Sequence, residues 1–297
     1  MRRPLFTGAA TAIVTPFTDE GVNLNAFRRL IDFQIAGDID GIVALGTTGE
    51  ASTQSEIERD MVTACAIEHI SGRVPLIVGT GSNDTAHAIR MSKRAQELGA
   101  DGLLVVTPYY NKTTQAGLIA HFTAIADAVS IPVIIYNVPS RTSLNMLPQT
   151  FAALKAHPNI WGVKEASGDI TQITELARLC PELAIYSGND DHVLPMLSVG
   201  GLGVITTVGN IAPREMHMLC KAYFDGDIAA SRAVQFKVNP LVKALFNEVN
   251  PIPVKTALSL MGYDAGPLRL PLVPMTEGNL AVLKREMATF GLLPESN

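Results

Sequence analysis

Eight short apolar runs, each followed by a segment with the periodicity of a helix, are the feature that most constrains the fold of this chain. The runs are nearly continuous in apolar residues, as expected for strands buried on both faces of a parallel sheet. They span residues 9–17, 41–45, 75–78, 102–106, 132–136, 160–164, 183–186 and 202–207. This alternation predicts an α/β fold, a (β/α)8 TIM barrel. A doubly wound open sheet is the alternative, but polar or glycine-rich segments follow nearly every run, which favours the barrel.

Amphipathic segments of helical length separate the runs. The clearest are residues 24–36, 55–70, 85–98 and 115–129. After about Pro213 the strand pattern ends, and the periodicity predicts further helices at 216–224, 228–246, 253–261 and 277–290. We therefore expect two domains: a barrel over residues 1–225 that carries the active site, and a C-terminal helical domain over residues 226–297.

Composition excludes several classes of protein. The chain has 297 residues, 47% of them hydrophobic, which is enough for a large core. Its net charge is -5 and it has no run rich in lysine or arginine, so nucleic acid is not an expected partner. No apolar run approaches the roughly 18 residues that a membrane span needs. The three cysteines form no C-x-x-C pair, which fits a reduced cytoplasmic compartment.

Lys164 stands where the sixth apolar run stops, before a turn in which Asp169 is suited to cap the next helix. If Lys164 points into the barrel, strict alternation turns Ile160 inward as well and directs Val163 toward the helices. A lysine desolvated in this way has a lowered pKa, and its neutral amine is a nucleophile. The alternative for this stretch alone is a surface lysine at a strand end.

Two further segments carry residues suited to binding a carboxylate. Gly46-Thr47-Thr48-Gly49-Glu50 can turn sharply and present backbone amides to an anion, or it is a plain glycine turn. Tyr136 ends the fifth run and can move protons, and Arg141 can hold a carboxylate through two hydrogen bonds. The alternative for this pair is an interface tyrosine and a surface arginine. Gly79-Thr80-Gly81 lacks the third glycine of a dinucleotide-binding motif.

Two clusters favour structural roles. Tyr109 and Tyr110 follow the fourth run, and paired aromatic residues on a loop are typical of packing or an interface. Asn189-Asp190-Asp191-His192 could suggest a metal site, but the other histidines lack metal-binding spacing. Helix capping by Asn189 and Asp190 is favoured there, and no metal site is expected.

Five motifs occur together in one order along the chain. They are Gly46-Thr47-Thr48-Gly49-Glu50, Tyr136-Asn137-Val138-Pro139-Ser140-Arg141-Thr142, Val163-Lys164-Glu165-Ala166, Ser187-Gly188-Asn189-Asp190 and Asn250-Pro251-Ile252-Pro253-Val254-Lys255. This set closely resembles the dihydrodipicolinate synthases, which belong to the pyruvate-dependent class I aldolases together with N-acetylneuraminate lyase. The resemblance runs from Gly8 to Leu272. The paired threonines and Arg141 are typical of the synthase branch, whereas Ser143 stands where that branch usually has glycine.

The resemblance implies a reaction and its substrates. Lys164 would form a Schiff base with pyruvate, and the resulting enamine would attack L-aspartate 4-semialdehyde. The product would be 4-hydroxy-tetrahydrodipicolinate, on the route to diaminopimelate and lysine. Neither a metal nor an organic cofactor is implied.

The resemblance also implies roles for single residues. Tyr136 would relay protons through Thr48 to Tyr110, which in this family enters the active site of a neighbouring protomer. The expected assembly is therefore a homotetramer, a dimer of dimers. Backbone amides near Thr47 and Thr48 would hold the pyruvate carboxylate.

Three more positions are implied at the mouth and wall of the site. Arg141 would anchor the carboxylate of the semialdehyde at the mouth. Gly188 and Ile205 match backbone positions that line the pocket.

The resemblance extends to a regulatory site for lysine. The matching positions are Ala51, Ser52, Glu56, Arg59, Asn83, His87 and Tyr109. His87 stands where lysine-sensitive enzymes have a glutamate, and Arg59 adds a positive charge near a cationic ligand. Glu56 offsets that charge in part. We expect weak inhibition by lysine.

Three other interpretations remain open from the sequence. An aldolase acting on sialic acid or a sugar acid would keep the lysine and tyrosine, although Arg141 argues against it. A metal-dependent barrel aldolase and a non-catalytic binding barrel are the others.

Overall fold

The structure, a computed structural model, describes residues 3–294. Its strands are β1 (Gly8–Ala12), β2 (Phe17–Thr18), β3 (Gly21–Val22), β4 (Gly41–Ala44), β5 (Leu76–Gly79), β6 (Gly102–Val106), β7 (Val133–Asn137), β8 (Ile160–Glu165), β9 (Ala184–Ser187) and β10 (Gly203–Thr206). Its α-helices are α1 (Leu24–Ala36), α2 (Glu56–Ile70), α3 (Thr85–Leu98), α4 (Gln115–Asp127), α5 (Pro139–Thr142), α6 (Pro148–Leu154), α7 (Ile170–Leu179), α8 (Val193–Ser198), α9 (Pro213–Phe224), α10 (Ile228–Leu245), α11 (Ile252–Leu260) and α12 (Glu277–Phe290). Short 3-10 helices span Ala51–Thr53, Asp190–His192 and Val208–Asn210.

Eight parallel strands close into a barrel. β1 pairs with β10 on one side and with β4 on the other, so the sheet made of β1 and β4–β10 has no open edge. Helices follow the strands in alternation, which confirms the (β/α)8 TIM barrel and excludes the open sheet. Beyond β10, the regular elements of the described chain are helical, as expected. The domain boundary after residue 225 stays a prediction.

The barrel separates two apolar cores. The inner core fills the barrel and is made of Phe6, Ala10, Ala12, Val43, Ile77, Leu104, Ile134, Tyr136, Val138, Ala166, Ala184, Tyr186 and Ile205. The outer core lies between the strands and the surrounding helices. Lys164 is in register with two inner-core residues, Tyr136 and Tyr186, so it lies on the inner face of β8.

Ile160 does not follow Lys164 into the barrel, and that prediction was wrong. Ile160 belongs to the outer core, together with Val163. The pairing with β7 passes from Ile160 directly to Gly162, and this irregularity breaks the alternation at the intervening residue.

The first strand is shorter than predicted. β1 ends at Ala12, and the Val14 amide donates to Asn210 Oδ1 at 3.0 Å instead of to a neighbouring strand. Pro16 has no amide hydrogen to continue a ladder. Phe17 then pairs with Val22 in a separate two-stranded hairpin.

Helix starts follow local side-chain chemistry. The Asp169 carboxylate accepts hydrogen bonds from the amides of Thr171 at 2.9 Å and Gln172 at 3.1 Å, which confirms the predicted cap of α7. Ser55 and Glu58 form a capping box at the start of α2. Within residues 3–294 no helix has the length and apolar character to cross a membrane.

Candidate active site

Lys164 lies inside the barrel near the carboxyl end of β8. Its side chain is 6% exposed, and its Nζ lies 4.3 Å from the centroid of the Tyr136 ring. A Cβ atom at Gly188 would lie 3.2 Å from Lys164 Cε and 2.7 Å from the Ala166 Cβ. Glycine at position 188 therefore leaves the room that the lysine side chain occupies.

Burial makes the Lys164 amine easier to deprotonate. Desolvation lowers the pKa of Lys164 from its ordinary value to about 8. The negative charge of Asp190 raises that pKa and the positive charge of Arg141 lowers it, both by less than desolvation does. With this pKa about 10% of the amine is neutral at pH 7, compared with well under 0.1% for an exposed lysine.

The resemblance implies an imine between Lys164 and pyruvate, and we expect the rate at which this imine forms to follow the titration of the amine. Only the neutral amine is nucleophilic, so the rate should rise about tenfold per pH unit below pH 7 and level off above about pH 9. Rapid-quench trapping with borohydride at low pyruvate concentration measures it. In Arg141→Ala the midpoint should move to higher pH, because the charge that lowers the Lys164 pKa is removed. A midpoint near pH 10 in the unmodified protein would contradict the burial argument.

The turn after β4 presents free backbone amides. Its own hydrogen bonds are Gly49 N to Gly46 O and Glu50 N to Thr47 O, each at 3.1 Å. Among the described residues, the amides of Thr47 and Thr48 donate to no protein acceptor. Two adjacent unpaired amides can bind one carboxylate.

Tyr136 is 7% exposed, and burial raises the pKa of its hydroxyl. The positive charge of Arg141 and a hydrogen bond from Thr47 lower this pKa by smaller amounts. Of the two threonines, Thr47 is the one that lowers the pKa of this hydroxyl, by side-chain hydrogen bonding. Thr48 Oγ1 instead accepts a hydrogen bond from Asn250 Nδ2 at 2.9 Å. This arrangement favours Thr47 as the partner of Tyr136, because the sequence of two adjacent threonines does not reveal which one the turn directs toward it, and the relay through Thr48 stays a prediction.

A cavity of about 330 Å³ opens beside these groups. Thr47, Tyr136 and Arg141 line it, as do Tyr109 and Arg59. It lies at the carboxyl ends of the strands, where barrels place their ligands.

The remaining predicted site residues do not line this cavity. Lys164 and Ile205 are buried in the barrel, at 6% and 1% exposure, and Gly188 is half-buried just after the end of β9. Tyr110 is 92% exposed on the surface, so one protomer alone does not bring it to Tyr136.

Arg141 is carried by the single-turn helix α5 at the cavity wall. Its Nη2 donates to the backbone carbonyl of Asn250 at 3.4 Å. Ser143 ends this turn with φ 55°, and its amide donates to Pro139 O at 2.9 Å. Glycine adopts this left-handed conformation without strain, which gives a physical reason for the usual glycine at this position.

Asp190 is a site residue that the sequence reasoning missed. It is 2% exposed, and its Oδ2 accepts from the amides of Thr207 at 3.0 Å and Val208 at 3.1 Å. It therefore caps the 3-10 helix Val208–Asn210 and not its own helix, and Asn189 makes no side-chain cap bond. The expectation that Asn189 and Asp190 cap their own helix was wrong. The local sequence does not show that Asp190 reaches the loop after the next strand, β10. Burial raises the pKa of Asp190.

The lysine-site positions form a mixed set of charges. Glu56 Oε1 lies 3.7 Å from His87 Nδ1. Arg59 donates through Nη1 to Ala51 O at 3.0 Å and through Nη2 to Gly79 O at 2.8 Å. Arg59 is thus fixed in the cavity wall with its charge in place, and weak inhibition by lysine stays a prediction.

Comparison with known proteins gives a consistent result over nearly the whole chain. The 4-hydroxy-tetrahydrodipicolinate synthase of Thermoanaerobacter sp. (strain X514) is 56% identical over 296 residues, which is 99% of this chain and 100% of that protein. The synthase of the same name from Caldicellulosiruptor bescii is 54% identical over 289 residues, 97% of this chain and 98% of its own. The crystal structure of dihydrodipicolinate synthase from Thermotoga maritima superposes with a TM-score of 0.95 at 43% identity, covering 98% of this chain and 100% of that one. The model of the dihydrodipicolinate synthetase family matches residues 5–289, and the chain belongs to that family.

Proposed function

We propose that this protein is a 4-hydroxy-tetrahydrodipicolinate synthase, a Schiff-base-forming lyase of the class I aldolase type. It condenses pyruvate with L-aspartate 4-semialdehyde on the route to diaminopimelate and lysine. The observation that carries the proposal is the buried Lys164 amine, whose pKa is lowered to about 8 beside the Tyr136 ring. Full-length relatives that bear this name support it.

The first chemical step joins pyruvate to Lys164. The neutral amine attacks the pyruvate ketone, water leaves, and a protonated imine forms. The imine draws electrons from the neighbouring methyl group, which loses a proton to give an enamine. Tyr136, which lies against the amine and is linked to Thr47, is placed to move these protons.

The second step forms the carbon–carbon bond. The enamine carbon attacks the aldehyde of L-aspartate 4-semialdehyde, and the new alkoxide takes a proton. The amine of that substrate then attacks the imine carbon, closes the ring and releases Lys164 as a free amine. The product is 4-hydroxy-tetrahydrodipicolinate, and the lysine is regenerated.

Two anion-binding elements serve the two substrates in this proposal. The free amides of Thr47 and Thr48 hold the pyruvate carboxylate. Arg141, in the cavity wall, holds the carboxylate of the semialdehyde. The site requires no metal or organic cofactor for this chemistry.

Replacing Arg141 by alanine tests the proposed function. A charge-assisted contact contributes about 1.5–3 kcal/mol, so kcat/KM for L-aspartate 4-semialdehyde should fall roughly 10- to 150-fold. A coupled assay with both substrates measures it, and borohydride trapping should show that the imine with pyruvate still forms.

Arg214→Ala is a suitable control, since this exposed arginine lies on α9 and pairs with Asp38 outside the cavity. An Arg141→Ala enzyme with unchanged kcat/KM for the semialdehyde would refute the role of Arg141. Absence of turnover of the two substrates by the unmodified protein would refute the function itself. Turnover of pyruvate with sugar aldehydes in place of the semialdehyde would favour a sugar-acid aldolase.

We also propose a homotetramer, built as a dimer of dimers, in which Tyr110 completes the site of a neighbouring protomer through Thr47 and Tyr136. The near-complete exposure of Tyr110 supports this arrangement, because a large aromatic side chain on a loop is suited to burial at an interface. We place the enzyme in the cytoplasm, which fits its three buried, unpaired cysteines.

A further inference from the structure

Asn250 lies in the loop between α10 and α11, yet it contacts both proposed carboxylate-binding elements. Its Nδ2 donates to Thr48 Oγ1 at 2.9 Å, and its backbone carbonyl accepts from Arg141 Nη2 at 3.4 Å. The residue is 6% exposed, and its Oδ1 has no hydrogen-bond partner among the described residues.

The segment that carries Asn250 also contacts the turn of residues 46–50, to which Thr48 belongs, at a second point. Lys255 Nζ donates to Glu50 Oε1 at 2.8 Å, and both side chains are almost completely buried. Glu50 Oε2 also accepts from the backbone amide of Arg269 at 3.1 Å. The C-terminal helical segment therefore binds this turn at two points. One is Glu50 at the end of the turn, and the other is Thr48 near its middle.

We propose that Asn250 is a positioning residue for pyruvate binding. Its amide holds the Thr48 hydroxyl and so fixes the orientation of the Thr47 and Thr48 amides that receive the pyruvate carboxylate. This inference rests on the proposed function. The side chain of Asn250 acts on the pyruvate subsite, whereas only its backbone carbonyl reaches Arg141. Removing the side chain therefore affects pyruvate more than the semialdehyde.

Asn250→Ala tests the inference in the full-length enzyme. The fraction of enzyme trapped by borohydride is measured against pyruvate concentration. Loss of one neutral hydrogen bond should raise the half-saturating concentration about three- to tenfold. The pH midpoint of imine formation should stay unchanged, since the burial of Lys164 is untouched, and KM for the semialdehyde should change less than about twofold on the same scale.

Asn247→Ala is the matched control. Asn247 precedes Asn250 in the same segment, its Nδ2 donates to Asn279 O at 3.4 Å, and its Oδ1 is likewise buried and unpaired. Among the described residues its side chain forms no hydrogen bond with the turn, so its replacement should leave pyruvate saturation unchanged. A merely structural role for Asn250 predicts that both variants lose thermal stability while the saturation curves of their folded fractions match the unmodified enzyme.

Thr48→Val removes the same hydrogen bond from the other side, so the test does not depend on the folding of Asn250→Ala. It should raise half-saturation by a similar factor, and Asn250→Ala should have no further effect in the Thr48→Val background. Unchanged pyruvate saturation in both single variants, or effects that multiply in the double variant, would overturn the inference. If borohydride traps no imine between the unmodified protein and pyruvate, the proposed function itself fails.

Discussion

Replacing Lys164 by methionine is expected to lower kcat by at least about 10³-fold, because no other nucleophile of the site can form the imine. Methionine has similar length and fits an apolar environment, so the variant should fold. The Lys164 side chain lies beside the Tyr136 ring and Gly188, and the replacement introduces no charge there. The coupled assay with pyruvate and L-aspartate 4-semialdehyde measures the loss.

Lys164→Arg separates charge from nucleophilicity. Arginine keeps a positive charge but does not form an imine, so this variant should be as inactive as Lys164→Met. Lys221→Met is a matched control, since Lys221 is exposed and pairs with Asp225 on the helical surface. Retention of more than about 1% of kcat in Lys164→Met would contradict covalent catalysis through this residue, given the scale of loss when a nucleophile is removed.

Replacing Lys255 by methionine is expected to lower the free energy of unfolding by about 3–5 kcal/mol, the usual effect of removing one partner of a buried ion pair. Lys255 is 2% exposed and Glu50 is 1% exposed. Without the amine, Glu50 Oε1 is left as a buried charged oxygen whose ion-pair partner is gone. Lys255 Nζ also donates to the backbone carbonyl of Pro267 at 2.7 Å, so a second contact between segments is lost. Urea denaturation at one fixed protein concentration measures the effect.

The double variant Lys255→Met with Glu50→Gln should recover part of this loss, because it removes the unpaired charge. Lys221→Met again serves as control, and the loss of its exposed pair should cost less than about 1 kcal/mol. Equal destabilisation by Lys255→Met and Lys221→Met would show that the buried pair does not fasten the helical segment to the barrel.

The architecture could be predicted from the sequence because it rests on repeated local patterns. Apolar runs that are buried on both faces and alternate with amphipathic helices indicate a parallel barrel. Each such run can be recognised from its own residues alone. The same reasoning placed Lys164 at a strand end and identified Asp169 as a helix cap, and both placements agree with the structure. Local pattern was insufficient where one residue interrupts it, as at Ile160 beside the irregular pairing of β8.

Contacts between distant segments were the part that sequence reasoning missed. Asn250 and Thr48 are separated by 202 positions, and no periodicity relates them. Asp190 accepts hydrogen bonds from amides of the loop that follows the next strand. The sequence around Asp190 suggested a local helix cap instead, because it shows only neighbouring residues. The choice between Thr47 and Thr48 depended on the path of a tight turn. Such contacts follow from the closed fold as a whole.

The most direct test of the account is to map the pyruvate adduct by mass spectrometry. The unmodified protein is incubated with pyruvate, reduced with borohydride and digested. We expect one reduced adduct per chain, on the peptide that contains Lys164. Lys255 is the strongest competitor, because it is also a buried lysine whose pKa is lowered by burial. An adduct on Lys255, or no adduct on either lysine, would contradict the central role assigned to Lys164.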